Sequence, residues 1–109
     1  MTLHDDLQTA IKDTPILLFT KGNKTFPQCG FSARVIDIFK SMEVPFETID
    51  IFGDPEIRPT LISNTDWPTT PQIFLGGEFI GGGDIVGELH QKGELQGMVD
   101  AVLAQSPQE

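Results

Sequence analysis

The run Ile16-Leu17-Leu18-Phe19 opens the stretch of sequence that decides the fold. Four consecutive apolar residues are typical of a strand that is buried on both of its faces. A polar loop follows over residues 21–28, and the alternating pattern of residues 46–51 predicts a second strand. Between the loop and that strand, a helix beginning near Cys29 is marked by apolar residues at helical spacing: Val35, Ile38, Phe39 and Met42. Residues 16–51 therefore predict a β–loop–α–β unit with two parallel strands and a right-handed crossover.

A helix is predicted before this unit. Apolar residues at helical spacing mark its buried face: Leu3, Leu7, Ala10 and Ile11. Thr2 and Asp5 resemble a capping pair at its start, and Pro15 ends it.

A hairpin is predicted after the unit, where Gly76-Gly77 separates two short apolar segments within residues 72–81. Asp84 is then expected to cap a helix that carries Ile85, Val86 and Leu89 and ends near Gly93. A last helix is marked by apolar residues at helical spacing: Leu95, Met98, Val99, Val102 and Leu103.

The segment between the second strand and the hairpin gives a mixed signal. Asp54 followed by Pro55 is typical of a helix cap with proline in the first helical position. Pro59 opposes that helix, because proline lacks an N–H donor and crowds the preceding turn.

The predicted order of elements is α-β-α-β-α-β-β-α-α. A parallel βαβ unit that is followed by an antiparallel hairpin and covered by helices resembles the thioredoxin-like fold, an α/β architecture. That resemblance implies a four-stranded mixed sheet in the order 2-1-3-4, flanked by about five helices. The length fits a single domain over residues 1–109, with its core within about residues 5–103.

Charge and composition exclude several classes of function. The 16 acidic and 7 basic side chains give a formal charge of −9, which disfavours nucleic acid and anionic membranes as partners. That charge indicates solubility or, more specifically, a basic protein partner. No apolar run approaches the ~20 residues of a membrane helix, and the N-terminal residues lack the basic region of a targeting peptide. We therefore expect a cytoplasmic protein, or one of an organelle matrix or stroma after removal of a transit peptide.

The single cysteine, Cys29, restricts the chemistry most strongly. It excludes an intramolecular disulfide and a metal site built from several cysteines of one chain. A helix start favours its thiolate, because free N–H groups and the helix dipole stabilise negative charge, and Lys21 and Lys24 could add positive charge. The alternative is a buried, inert thiol, which the polar setting Pro27-Gln28-Cys29-Gly30 disfavours. Ser32 occupies the second position of a C-x-x-C pair, so no internal disulfide can resolve a mixed disulfide.

Three blocks of sequence resemble the CGFS class of monothiol glutaredoxins. They are Lys21-Gly22 with Phe26-Pro27-Gln28-Cys29-Gly30-Phe31-Ser32, Trp67-Pro68-Thr69-Thr70-Pro71-Gln72, and Gly81-Gly82-Gly83-Asp84-Ile85. The blocks keep the order and approximate spacing of that family, and the resemblance covers roughly residues 5–103. The loop before Cys29 resembles the longer loop of the CGFS class.

The resemblance implies a glutathione-binding site beside a catalytic Cys29. It places Lys21 and Arg58 near the glycyl carboxylate of glutathione, where the fork of an arginine suits a carboxylate. It makes Pro71 a cis-proline, so that the Thr70 backbone pairs with glutathione as an added strand would. It directs the γ-glutamyl carboxylate to the start of the helix that follows Gly83. It directs the ammonium group to the side chain of Asp84. The implied set is Lys21, Cys29, Phe31, Arg58, Thr70, Pro71, Gly82, Gly83 and Asp84.

Several of these assignments have simpler alternatives. Lys21 and Arg58 could be solvated surface residues, and Pro71 could be an ordinary trans proline at the start of an edge strand. The glycines with Asp84 could form no more than a turn and a helix cap. Trp67 is expected to pack in the core or in the wall of the groove rather than to react.

The chain also departs from the family pattern. Gly83 stands where relatives often have Cys or Ser, so a second thiol is absent. Ile62 stands where many relatives have a lysine, and Pro59 lies in the same predicted helix, which weakens the match on the Arg58 side. His4 and His90 match no ligand motif.

Finally, the resemblance implies a [2Fe–2S] cluster with Cys29 as its metal ligand. Such clusters usually need four thiolates, so two chains and two glutathiones would complete a bridged homodimer of an otherwise monomeric protein. Cluster-acceptor apoproteins are then implied partners, and a BolA-type protein could pair with the chain as part of a regulatory adaptor. The enzymatic alternative is a glutathione-dependent thiol–disulfide oxidoreductase, weak in this class, that deglutathionylates proteins.

Overall fold

The computed structural model describes residues 3–105 of the 109-residue chain. Nine elements follow one another in the predicted order: α1 (Leu3–Asp13), β1 (Ile16–Thr20), α2 (Gly30–Ser41), β2 (Glu47–Asp50), α3 (Ile57–Thr65), β3 (Gln72–Leu75), β4 (Glu78–Gly82), α4 (Gly83–Gln91) and α5 (Glu94–Gln105). No helix among these residues is long and apolar enough to cross a membrane.

The four strands form one mixed sheet in the order β2-β1-β3-β4, which confirms the thioredoxin-like arrangement. Strand β1 is parallel to β2 and antiparallel to β3, and β3 pairs antiparallel with β4. Gly76 and Gly77 connect the last two strands with positive φ angles of 60° and 85°. Both central residues of a type I′ hairpin turn need φ > 0, which glycine adopts without steric cost.

Helices cover both faces of the sheet. Alternate residues of β1 enter different clusters: Ile16 and Leu18 pack with residues of α2, α4 and α5, while Leu17 and Phe19 pack with residues of α1 and α3. The two clusters explain why the four apolar residues of β1 are buried, as the apolar run predicts. The carboxyl end of this rigid central strand leads into the loop before Cys29.

The predicted cap of α3 was wrong. The helix begins at Ile57 with Glu56 as its N-cap, and no side chain caps it. Asp54 instead accepts a hydrogen bond from the Glu56 amide at 2.8 Å, in the turn that precedes the helix. Pro59 is the third helical residue, where an N–H would have no intrahelical acceptor, so it does not interrupt the helix.

The predicted cap of α4 was also wrong. Gly82 is the N-cap residue, and Asp84 lies in the first turn without a capping hydrogen bond. The glycines continue β4 directly into the helix rather than forming a separate turn. The predicted pair of Thr2 and Asp5 lies outside the described residues, because Thr2 precedes them.

Candidate active site

The loop over residues 21–28 folds back on itself before it reaches Cys29. The Gln28 amide donates to the Lys21 carbonyl at 2.8 Å, and Asn23 Oδ1 accepts from the amides of Thr25 and Phe26 at 2.9 and 2.8 Å. Gly22 has a φ of +84°, and a Cβ there would lie 2.8 Å from the Gln28 nitrogen. The close approach of the two loop strands therefore requires glycine at this position.

Strand β2 holds this loop in place. The Gly22 amide donates to Asp50 Oδ1 at 3.1 Å, and the Lys24 amide donates to Thr48 Oγ1 at 3.2 Å. The Lys24 ammonium donates to the Phe46 carbonyl at 3.0 Å and pairs with Glu47 at 3.3 Å. The expectation that Lys24 supports the thiolate was therefore wrong, since its charge is engaged on β2.

Cys29 is the N-cap residue of α2, with an extended backbone (φ −148°, ψ 155°). Its sulfur accepts a hydrogen bond from the Ser32 amide at 3.3 Å and lies 3.3 Å from Ser32 Oγ. The fully buried Ser32 hydroxyl also accepts from the Lys21 amide at 3.0 Å. Ser32 is therefore a contact of the thiol, in addition to being a tolerated residue of the first helical turn.

These contacts set the ionisation of the thiol. Burial raises the pKa of Cys29, but the Ser32 hydroxyl, the backbone amides of Ser32 and Phe31, and the positive charge of Lys21 together outweigh it. The net effect is a pKa below the usual value of a cysteine. A lower pKa increases the thiolate fraction near neutral pH, and the thiolate is the form that attacks disulfides and binds metals.

A groove of about 330 Å³ lies beside this thiol. It brings together seven of the nine residues predicted for the site, from five separate segments of the chain: Lys21, Phe31, Arg58, Thr70, Pro71, Gly83 and Asp84. The Thr70–Pro71 peptide bond is cis, as predicted. Cys29 and Gly82 do not line the groove, whereas Thr69, which belongs to the second motif block but not to the predicted set, does.

Sequence reasoning missed the residue that supports the cis-proline segment. The fully buried Gln72 donates from Nε2 to the carbonyls of Trp67 and Thr69 at 3.0 and 3.1 Å. Its Oε1 lies 3.1 Å from Thr65 Oγ1, at the end of α3. Gln72 ends the second motif block, and a polar residue at the start of an otherwise apolar strand is the signal that could have identified it.

Gly82 packs closely against Trp67 and Pro71. A Cβ at this position would lie 3.0 Å from Trp67 Nε1 and 3.4 Å from the Pro71 carbonyl. Trp67 also contacts Phe79, with ring centroids 5.7 Å apart, so its ring packs against β4. Gly83 differs from Gly82, because a Cβ there would meet Val35 and Pro71 at ordinary distances of 3.5 and 3.6 Å.

The charges around the groove suit a ligand with anionic ends. Lys21 and Arg58 supply two cations, and the start of α4 supplies free backbone N–H groups. Asp84 supplies one carboxylate in the same groove. The arrangement can therefore hold a zwitterionic peptide beside a nucleophilic thiolate.

Comparison with known proteins agrees with this site. The glutaredoxin family model matches residues 16–80. A protein from Synechocystis sp. named a monothiol glutaredoxin (ycf64-like) is 48% identical over 100 residues, which cover 92% of this chain and 91% of the relative. The fold is thioredoxin-like, and its one cysteine lies at the start of a helix. Together with these matches, this shows that the chain belongs to the glutaredoxin family.

Solved structures extend this comparison. The solution structure of reduced poplar apo GrxS14 superposes with a TM-score of 0.85 at 40% identity and covers 95% of both chains. The crystal structure of a buckwheat glutaredoxin in complex with glutathione superposes with a TM-score of 0.81 at 28% identity. That comparison covers 91% of this chain and 88% of the buckwheat protein.

Proposed function

We propose that the protein is a glutathione-dependent monothiol glutaredoxin of the CGFS class that binds a [2Fe–2S] cluster between two protomers and transfers it. The observation that carries the proposal is the single activated Cys29 beside a groove with charges for a zwitterionic peptide. The cluster is cargo in this scheme, and glutathione is the bound co-ligand.

Glutathione matches the groove group by group. It has two carboxylates, one ammonium and one thiol, and the groove offers Lys21 and Arg58, the start of α4 and the Asp84 carboxylate. The buckwheat relative was crystallised with glutathione, which supports the same ligand here. A peptide bound along the cis-proline segment would present its thiol beside Cys29.

The donor set fits a shared cluster rather than one held by a single chain. Among residues 3–105, no three His, Cys, Asp or Glu side chains converge on a metal position. A [2Fe–2S] cluster usually takes four thiolate-type ligands. Cys29 and the thiol of a bound glutathione supply two of them, and a second protomer with its own glutathione would supply the other two.

Anaerobic reconstitution with iron, sulfide and glutathione tests this function. We expect visible absorption of the cluster, a shift from monomer to dimer on size exclusion, and two glutathiones per cluster. The Cys29→Ser variant should lose both the absorption and the dimer while keeping its helical circular dichroism. A monomer that holds a stable cluster without any added thiol would contradict the proposal.

A BolA-type protein is proposed to replace one protomer in a mixed cluster-bound dimer. Adding such a protein during reconstitution should then give a heterodimer with a changed visible spectrum. A spectrum and an elution volume that stay those of the homodimer would contradict this pairing.

The activated thiol also favours an exchange reaction at the same site. The Cys29 thiolate attacks the glutathione sulfur of a protein–glutathione disulfide, forms a Cys29–glutathione disulfide and releases the protein thiolate. The thiolate of a second glutathione attacks this adduct, which releases glutathione disulfide and restores the Cys29 thiolate. We expect slow turnover with a small glutathione mixed disulfide, because only a free glutathione, and no cysteine of the same chain, can attack the adduct. Turnover as fast as that of a dithiol glutaredoxin would favour the enzyme over the cluster carrier.

A further inference from the structure

The guanidinium of Arg34 lies at the seam between α2 and α4. A Cβ built on Gly87 would lie 3.4 Å from Arg34 Nη2 and 3.7 Å from Arg34 Cζ, so the guanidinium packs over this glycine. On α2, Arg34 follows Phe31 by one helical turn, and on α4, Gly87 follows Gly83 by one turn. Since Phe31 and Gly83 line the groove, the seam continues the groove along the two helices.

Arg34 has no carboxylate partner within the described part of the chain. Its side chain is exposed, and no acidic group of residues 3–105 lies within 4.0 Å of it. Lys24 and Lys92, by contrast, are each paired with a glutamate. In a chain with a net charge of −9, an exposed and unpaired guanidinium beside the groove is suited to bind a carboxylate of another molecule.

We propose that Arg34 is a docking contact for an acidic segment of the protein substrate whose glutathione disulfide Cys29 attacks. The inference rests on the exchange reaction proposed above. Glutathione itself is assigned to Lys21, Arg58 and the start of α4, so Arg34 stays available to the polypeptide that carries the disulfide.

The geometry of α2 limits how close the acidic residue can be to the reactive cysteine of the substrate. Arg34 follows Cys29 by five residues, a rise of ~7.5 Å along the helix axis together with a rotation of about 140° around it. An extended chain advances ~3.4 Å per residue, so the acidic residue has to lie at least two positions from that cysteine to reach Arg34. Phe31, one turn before Arg34 on the same helix, is 67% exposed and offers apolar contact beside it.

A pair of synthetic peptides tests the contact. Each peptide carries one glutathionylated cysteine, flanked two and three positions away on both sides by Asp in one peptide and by Asn in the other. The measurement is the second-order rate of transfer of glutathione from the peptide to Cys29, followed by mass spectrometry of acid-stopped samples. The wild-type protein should react about two- to five-fold faster with the Asp peptide at low salt, the range expected of an exposed ion pair, and high salt should remove the difference.

Three variants identify the residue responsible. Arg34→Gln should abolish the preference without changing the rate for the Asn peptide, and Arg34→Lys should retain part of it. Lys40→Gln is the matched control, because it removes the same charge from the far end of α2, and it should keep the preference.

The outcomes separate the docking contact from the reaction. Equal rates for the two peptides with the wild-type protein, or an equal loss of preference in Lys40→Gln, would overturn the role of Arg34 while leaving the exchange reaction in place. No transfer from either peptide would overturn the exchange reaction itself, and this inference with it.

Discussion

The hydroxyl oxygen of Ser32 and the sulfur of Cys29 lie 3.3 Å apart, within the first turn of α2. The Lys21 amide donates to the same oxygen at 3.0 Å, which leaves the hydroxyl hydrogen free to point at the sulfur. Ser32 is fully buried, so water does not compete for its hydroxyl group. The residue that replaces the second cysteine of a C-x-x-C pair is therefore itself a support for the thiolate.

Replacing Ser32 with alanine should raise the pKa of Cys29, because the hydroxyl is the strongest of the groups that lower it. The rate of thiol alkylation, measured against pH, should show a midpoint at higher pH than in the wild-type protein. Ser41→Ala is the matched control, since its hydroxyl bonds the Ile38 carbonyl in the last turn of the same helix. An unchanged midpoint in Ser32→Ala would show that the hydroxyl does not support the thiolate.

The lowered pKa of Cys29 predicts a pH-dependent contribution to stability. Below the pKa of the folded state, the thiol is protonated in both the folded and the unfolded chain and contributes nothing. Above that pKa, the folded state binds fewer protons than the unfolded state, so the free energy of unfolding rises with pH until the unfolded thiol ionises near ~8.5.

Urea unfolding of the wild-type protein and of Cys29→Ser checks this sign, because serine keeps an N-cap oxygen that does not ionise. The stability of the wild type relative to the variant should increase from acidic to alkaline pH. A difference that is constant or that falls with pH would be inconsistent with a stabilised thiolate.

The two neighbouring glycines at the start of α4 should respond differently to alanine. Gly82→Ala places a Cβ 3.0 Å from Trp67 Nε1 and 3.4 Å from the Pro71 carbonyl, so we expect a loss of about 1–3 kcal/mol from overpacking. Gly83→Ala meets ordinary contacts and should change the free energy of unfolding by at most about 1 kcal/mol, in the stabilising direction.

Chemical unfolding and the fluorescence of Trp67, the single tryptophan, measure both effects. Only Gly82→Ala should change the emission of the folded state, because its new methyl group contacts the indole. Equal destabilisation by the two variants would contradict this prediction, because only position 82 places the new methyl group against the indole.

Gln72→Leu should destabilise the protein by about 2–4 kcal/mol. The leucine side chain has about the same volume as glutamine, but it leaves the Trp67 and Thr69 carbonyls without their buried donor. Gln96→Leu is the control, because Gln96 bonds Asp100 on the exposed face of α5 and should cost no more than about 0.5 kcal/mol. Urea unfolding compares the two, and similar midpoints would mean that Gln72 does not hold the cis-proline segment.

Local sequence features predicted the elements and the position of the thiol correctly. The buried run of β1, the paired glycines of the hairpin and the helical spacing after Cys29 each depend on residues close together in the chain, whose steric and hydrophobic preferences act within a few residues. The same reasoning misplaced the caps of α3 and α4. Asp54 and Asp84 have side chains that often cap helices, but Glu56 and Gly82 occupy the N-cap positions.

The sequence by itself determined the order of the elements, the single thiol at a helix start and, through its three motif blocks, most residues of the groove. The tertiary structure decided which of the two loop lysines acts on the thiol. The charge of Lys21 acts on Cys29, while Lys24 pairs with Glu47, which is 23 residues further along the chain. It also decided the contact between Arg34 and Gly87, which brings together two helices that are far apart in sequence. These outcomes depend on the sheet order and on helix packing, which bring distant residues into contact, and no local pattern encodes the direction that a long charged side chain takes among the partners that packing offers.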